Sequence, residues 1–170
     1  DDTLVVFHPD HGEMLGAHSY FQKMVCYEEA IHLPMMVSAP GVEPGRRSNL
    51  TSHVDIAPTI AQYAGLDVPD AVQGRSLMPL LRDADTPHHD AVFSEYNGNV
   101  VRDLYQRCIV SDHYKYIWNM DDFEELYDLA SDPLEEHNIA CEPDTQPVKA
   151  DLRDRLARWM EETGDFIQLA

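Results

Sequence analysis

The texture of the chain changes after "RDADTPHHD", and that change constrains the fold more than any single residue does. "AVFSEY", "VVRDLYQRCIVSD", "YKYIW" and "EELYDL" follow one another with alternating aromatic and β-branched residues, the pattern of strands in an antiparallel sheet. "LRDRLARWMEETG" then puts Leu152, Leu156, Trp159 and Met160 on one face at helical spacing, so an amphipathic helix closes the chain.

Upstream of the change the pattern is α/β. "TLVVF" is a short apolar run without alternation, as a central parallel strand shows, and Pro9 ends it before a loop carrying Asp10, His11 and Gly12. "MVCYEEAIHLP" reads as a short helix or turn ahead of a second strand, "LPMMVSA", and "PGVEPGRR" is a turn-rich connector. Asp55 stands where the N-cap of a helix "IAPTIAQYAG" belongs, with Pro58 in the first turn and Gly65 at the stop. The expected organisation is an α/β portion over residues 1–90, then a small antiparallel sheet with a C-terminal helix over 91–170.

Composition removes whole classes of function. Thirty-one acidic against 12 basic residues give a net charge of -19, which repels a nucleic-acid backbone. Nothing approaches the ~18 consecutive apolar residues of a membrane span, and "DDTLVVF" carries no secretory-signal pattern. Cys26, Cys108 and Cys141 are odd in number and lack zinc-ligand spacing, so free thiols in a reducing, cytoplasmic compartment are the expectation.

In an open sheet of this kind, ligands collect beyond the carboxyl ends of the strands, where the loop after "TLVVF" lies. A carboxylate there meets an incoming anion only through a cation, which makes Asp10 a natural ligand for a divalent metal and His11 a possible nitrogen donor. By itself "DHG" reads first as a polar turn, and Lys23 as a solvated lysine. His18 suits a loop role as well as a substrate contact. His88 and His89 fall in what reads as a hinge loop and match no catalytic pattern. The Asp1–Asp2 pair precedes a strand and reads as a turn; Arg102 could edge a substrate pocket.

The stretch "TLVVFHPDHGEMLGAHSYFQKMVCYEEAIHLPMMVSAPG" resembles the second signature region of type I sulfatases in the alkaline phosphatase superfamily. The resemblance continues through "SHVDIAPTIAQYAGLDVPDAVQGRSLMPLL", "YKYIW" and "EELYDLASDPLEEHNIA", nearly the whole chain. It implies the C-terminal portion of an alkaline-phosphatase-like α/β/α sandwich followed by a small antiparallel subdomain and helix. It also implies that Asp10 and His11 bind the active-site metal and that Lys23 binds the sulfate. Such enzymes hydrolyse sulfate esters with one divalent metal, here expected to be calcium, with manganese or zinc favoured more by the nitrogen of His11.

The family's nucleophile is a formylglycine made in a C/S-x-P/A-x-R motif, and no Cys or Ser of this chain has that context. The nucleophile is therefore expected upstream, in the remainder of a sulfatase chain. Two rivals stand beside the sulfatase reading: a phosphonate monoester or phosphodiester hydrolase of the same superfamily, and a sulfatase-like binding module without catalysis. Specific substrate and oligomeric state are not legible.

Overall fold

The computed structural model describes residues 2–98 and 104–169; Asp1 and Arg102 lie outside the described residues. Packing divides the chain into two compact units. One combines the first nine residues with Pro34–Val92, the other Asp10–Leu33 with Phe93–Ala170. The N-terminal loop with Asp10, His11 and Lys23 thus belongs to the same unit as the C-terminal sheet.

In the first unit, β1 (Val5–Phe7) pairs with β2 (Met36–Ser38) in the register Val5 with Ser38, Val6 with Val37 and Phe7 with Met36. The pairing is antiparallel, where the unalternated apolar run suggested a central parallel strand. Such a run reports that both faces are suited to burial, not the direction of the neighbouring strand. One face carries Val5, Phe7 and Met36, which are 55, 56 and 62% exposed.

Farther along, α2 (Ile56–Tyr63) follows a tight turn at His53–Asp55, and α3 (Met78–Arg82) supplies the buried Met78 and Leu80. Thr59 joins the two: its hydroxyl donates to Asp55 O at 2.6 Å and accepts Leu77 N–H at 2.8 Å. Asp55 holds the N-cap position of α2, but its carboxylate does not cap that helix. It reaches back to Ser52 N–H and across to Arg75 N–H, both at 2.8 Å. Gly74 permits that approach, since a Cβ there would fall 1.9 Å from Val54 O.

The second unit holds a sheet in the order β3 (Val92–Asn97), β4 (Tyr105–Ser111), β5 (Tyr114–Asn119), β6 (Glu125–Asp128). β4 pairs antiparallel with β5, and β5 with β6, so the expected meander is present. Its alternation is not apolar against solvent, because β5 is buried from Lys115 through Asn119. The registers Cys108 with Ile117 and Lys115 with Tyr127 put Gln106, Cys108, Lys115, Ile117, Asn119, Glu125 and Tyr127 on one face. Arg107, Ile109, Tyr116 and Leu126 take the other.

That other face meets α4 (Gln146–Thr163), which buries Leu152, Leu156 and Met160. Trp159 is half-buried and stacks on Phe93 with ring centroids 4.8 Å apart. Past the helix stop at Gly164, Asp165 receives the buried Arg107 guanidinium on both oxygens, one contact at 2.9 Å. Arg107 holds the Asp165 carboxyl below the usual range.

Residues 10–33 cover the first face, through α1 (Glu28–Ile31) and the segment before it. Cys26, Cys108, Ile117 and Tyr127 form an apolar cluster there, with Met14, Val25 and Ala30 in a second. Polar side chains of the sheet grip the segment between them. Gln106 Oε1 accepts Cys26 N–H at 3.1 Å, Glu125 Oε2 accepts Tyr27 O–H at 2.8 Å, and Glu135 Oε2 accepts Glu28 N–H at 2.7 Å. Gln106, Asn119 and Glu125 bond to one another in series at 2.6 and 2.7 Å, so none faces the core unpaired.

Lys115, with no exposed surface, lies 2.6 Å from Glu28 and 2.8 Å from Glu135. Burial disfavours ionised Glu28, but His32 and Lys115 outweigh it and hold that carboxyl down at about 2. Glu135 goes the other way, raised by burial against the pull of Lys115. Both follow from one ammonium shared between two carboxylates, of which Glu28 also has His32.

Cys26 and Cys108 are free and buried, and Cys141 is free and exposed; burial holds the Cys108 thiol up and so protonated. Among the described residues no helix is long and apolar enough to cross a membrane.

Candidate functional site

The loop from Asp10 to Lys23 is built around Gly12. Gly12 N–H donates to Ala30 O at 2.9 Å and Glu13 N–H to Glu29 O at 3.0 Å, laying the chain against α1. A Cβ on Gly12 would stand 1.8 Å from Glu29 O, so only glycine allows this approach.

Beyond the buried Met14 the backbone is contorted. Leu15, His18, Ser19 and Gln22 all have positive φ, at 48, 50, 65 and 74°. Each such non-glycine residue costs on the order of 1 kcal/mol, which the surroundings must impose. Met14 N–H to Gln22 O at 2.8 Å closes the loop, with Gly16 N–H to Tyr20 O at 2.9 Å inside it. The closure returns the chain so that Lys23 meets His11.

Lys23 Nζ is 2.6 Å from His11 Nε2. His11 Nδ1 lies 2.7 Å from Gly12 O, an acceptor only, so Nδ1 carries the proton and Nε2 offers its lone pair. Asp10 Oδ2 is 3.5 Å from the same Nε2, and Asp10 Oδ1 accepts His11 N–H at 3.0 Å. Asp10 is exposed; hydrogen bonding from its own backbone lowers its pKa against opposing desolvation, with the His11 N–H and the Lys23 charge adding to the lowering.

The loop thus brings Asp10, His11 and Lys23 together. A carboxylate and an oriented imidazole lone pair form a donor set that fits part of a divalent-cation site, with the Gly12 carbonyl fixing the ring from behind. His18 is placed elsewhere, stacked on Tyr27 with centroids 4.0 Å apart and planes 6° from parallel. There His18, Glu29 and Glu135 bring ligand-type atoms within 4.8 Å of one another, although Glu135 is engaged by Lys115 and Glu28 N–H.

Comparison with known proteins shows the family of the chain. The model of the family "N-sulphoglucosamine sulphohydrolase, C-terminal" matches residues 16–162. The chain belongs to that family. As a C-terminal sulfatase segment, it is 34% identical to the choline-sulfatase of Rhizobium meliloti over 97% of its own length and 33% of that protein's. The structure of BT4656 in complex with its substrate D-glucosamine-2-N,6-O-disulfate superposes with a TM-score of 0.88 at 28% identity, over 96% of this chain and 35% of that one. A phosphonate monoester hydrolase from Silicibacter pomeroyi follows at 0.81 and 29%, over 94% of this chain and 35% of that one. The segment therefore spans about a third of the length of these relatives.

Sequence reasoning about the segment missed two groups. Tyr27, which carries the His18 stack and bonds to Glu125, gave no signal because its partner lies 98 residues away. Asp55, His88 and His89 also converge, although Asp55 reads as a cap and the histidines as hinge residues.

Proposed function

We propose that the chain contributes one side of the active site of a sulfuric ester hydrolase, with Asp10 and His11 as ligands of one divalent metal and Lys23 as the cation that receives the sulfate. The observation carrying this reading is the His11 tautomer: with Nδ1–H given to Gly12 O, Nε2 is left as a lone pair beside Asp10 and already attracts a cation, the Lys23 ammonium. A bound divalent ion would supply Lewis-acid charge to a sulfuryl oxygen. We assign calcium, with manganese as the alternative favoured by the nitrogen donor.

Lys23 is a compact charge on a four-carbon stem, suited to neutralise a sulfuryl oxygen and the ester oxygen as the S–O bond breaks. His18, on the strained part of the same loop, is assigned a second contact to substrate. The nucleophile is assigned to a formylglycine on the remainder of the sulfatase chain. The exposed apolar face of Val5, Phe7 and Met36 supports packing against that remainder. Free Cys26 and Cys108, buried side by side, support a reducing, cytoplasmic setting.

The likeness to a phosphonate monoester hydrolase supports a second reading, in which the same residues serve phosphonate or phosphodiester cleavage. The deciding experiment compares sulfate and phosphonate monoesters on the full-length protein, stripped of metal and reloaded with calcium or manganese. Higher kcat/KM for the sulfate supports the first reading, and a phosphonate preference replaces it with the second. The purified 170-residue chain alone should turn over neither ester.

A further inference from the structure

Asp55 is a buried carboxylate with no exposed surface, and among the described residues its ion-pair partners are two imidazoles rather than a lysine or arginine. His88 Nε2 lies 3.2 Å from Oδ2, while His89 Nε2 sits between the oxygens at 2.9 and 3.0 Å. The imidazoles are themselves 5 and 14% exposed.

Ser52 N–H also points at Oδ2 and Arg75 N–H at Oδ1, each at 2.8 Å. His89 is shared between both oxygens, so four nitrogens in all converge on this one carboxylate and use its acceptor capacity. With both histidines neutral, the site also retains a buried negative charge, which proteins ordinarily pair or place on a metal.

We propose that Asp55, His88 and His89 form a zinc-class metal site. Ligand atoms around a tetrahedral Zn2+ at ~2.0–2.1 Å stand roughly 3.3 Å apart. The imidazole-to-carboxylate separations of 2.9 to 3.2 Å need only small outward shifts to match, and the ligand atoms of all three residues lie within 4.8 Å of one another. An ion between the groups would replace the two Nε2 protons and offset the buried carboxylate charge. Ser52 and Arg75 N–H then orient the ligating carboxylate, as outer hydrogen bonds do in metal sites. Water takes the fourth position from the His89 side, the more exposed one. Arg75 Nη1 donates to His88 O at 2.6 Å, so a nearby positive charge tempers the affinity. The bound ion would pin the segment before β3 to the start of α2.

The test uses the full-length protein carrying Asp10→Asn and His11→Asn, stripped by chelator and titrated with Co2+. The expected result is one equivalent giving the visible absorption of nitrogen-ligated, low-coordinate Co2+, displaced by Zn2+. His89→Gln, which keeps an N–H donor for Asp55 but removes the imidazole nitrogen, should weaken binding at least tenfold. Absence of that absorption, or its persistence unchanged in His89→Gln, would overturn the proposal. Should the variant fail to fold, 15N spectra of histidine-labelled protein with saturating Zn2+ decide. Nε2 unprotonated in His88 and His89 supports the site, and Nε2–H in both refutes it.

Discussion

The Lys23 ammonium lies 2.6 Å from the His11 nitrogen that the Gly12 carbonyl leaves unprotonated. Lys23 is an exposed side chain, so its removal should change stability by less than about 0.5 kcal/mol. In the full-length protein, Lys23→Met should nevertheless lower kcat on a sulfate ester by roughly 100- to 1,000-fold, the usual cost of losing a charge-stabilising donor. Steady-state kinetics alongside a melting curve separate the two effects. Unchanged turnover would remove Lys23 from the substrate.

Lys115 is the reverse case, remote in role but buried between Glu28 and Glu135. Lys115→Met leaves two carboxylates without their cation and should cost roughly 3–5 kcal/mol in denaturant unfolding. Adding Glu28→Gln and Glu135→Gln to that variant should recover part of the loss, because the stranded charges go with it.

The same cluster gives a pH signature. Glu28 is held at about 2 against an ordinary 4.5, so its contribution is complete above 4.5 and fades as pH falls toward 2. The full swing is at most roughly 3 kcal/mol. Glu135 has the opposite sign: raised in the folded protein, it contributes most below 4.5 and loses that contribution as pH rises through its folded value. Unfolding free energies measured between pH 2 and 5 should therefore rise with pH less steeply in Glu28→Gln than in the parent.

Gly12→Ala drives a methyl against Glu29 O, 1.8 Å from where it must sit. The backbone has to separate at the Gly12–Ala30 and Glu13–Glu29 hydrogen bonds, at a cost of roughly 1–3 kcal/mol. Because Gly12 O also orients His11, activity should fall further than the lost stability explains. Thermal denaturation and kcat/KM on one preparation would check this.

The meander and α4 were legible because aromatic and β-branched alternation, and then Leu152, Leu156 and Met160, report local geometry directly. Asp10, His11 and Lys23 were legible through resemblance, and the loop brings them within reach of one another. What covers the polar face of the sheet was not, since Gln106, Lys115 and Glu125 in a strand read as solvent-facing until Cys26, Tyr27 and Glu28 arrive from far away in sequence. The direction of β1 was hidden because a three-residue apolar strand does not encode its partner. Asp55 with His88 and His89 stayed unread because residues 33 and 34 positions apart share no periodicity.

The grip of the sheet on residues 26–28 also sets a timetable. Cys26, Tyr27 and Glu28 find their anchors 80, 98 and 107 residues later, in Gln106, Glu125 and Glu135. On the ribosome the loop bearing Asp10, His11 and Lys23 emerges long before anything exists to hold it. At ~5–20 residues per second it waits for several seconds as nascent chain, an interval in which a chaperone can reach Met14, Val25 and Cys26, which the finished fold buries.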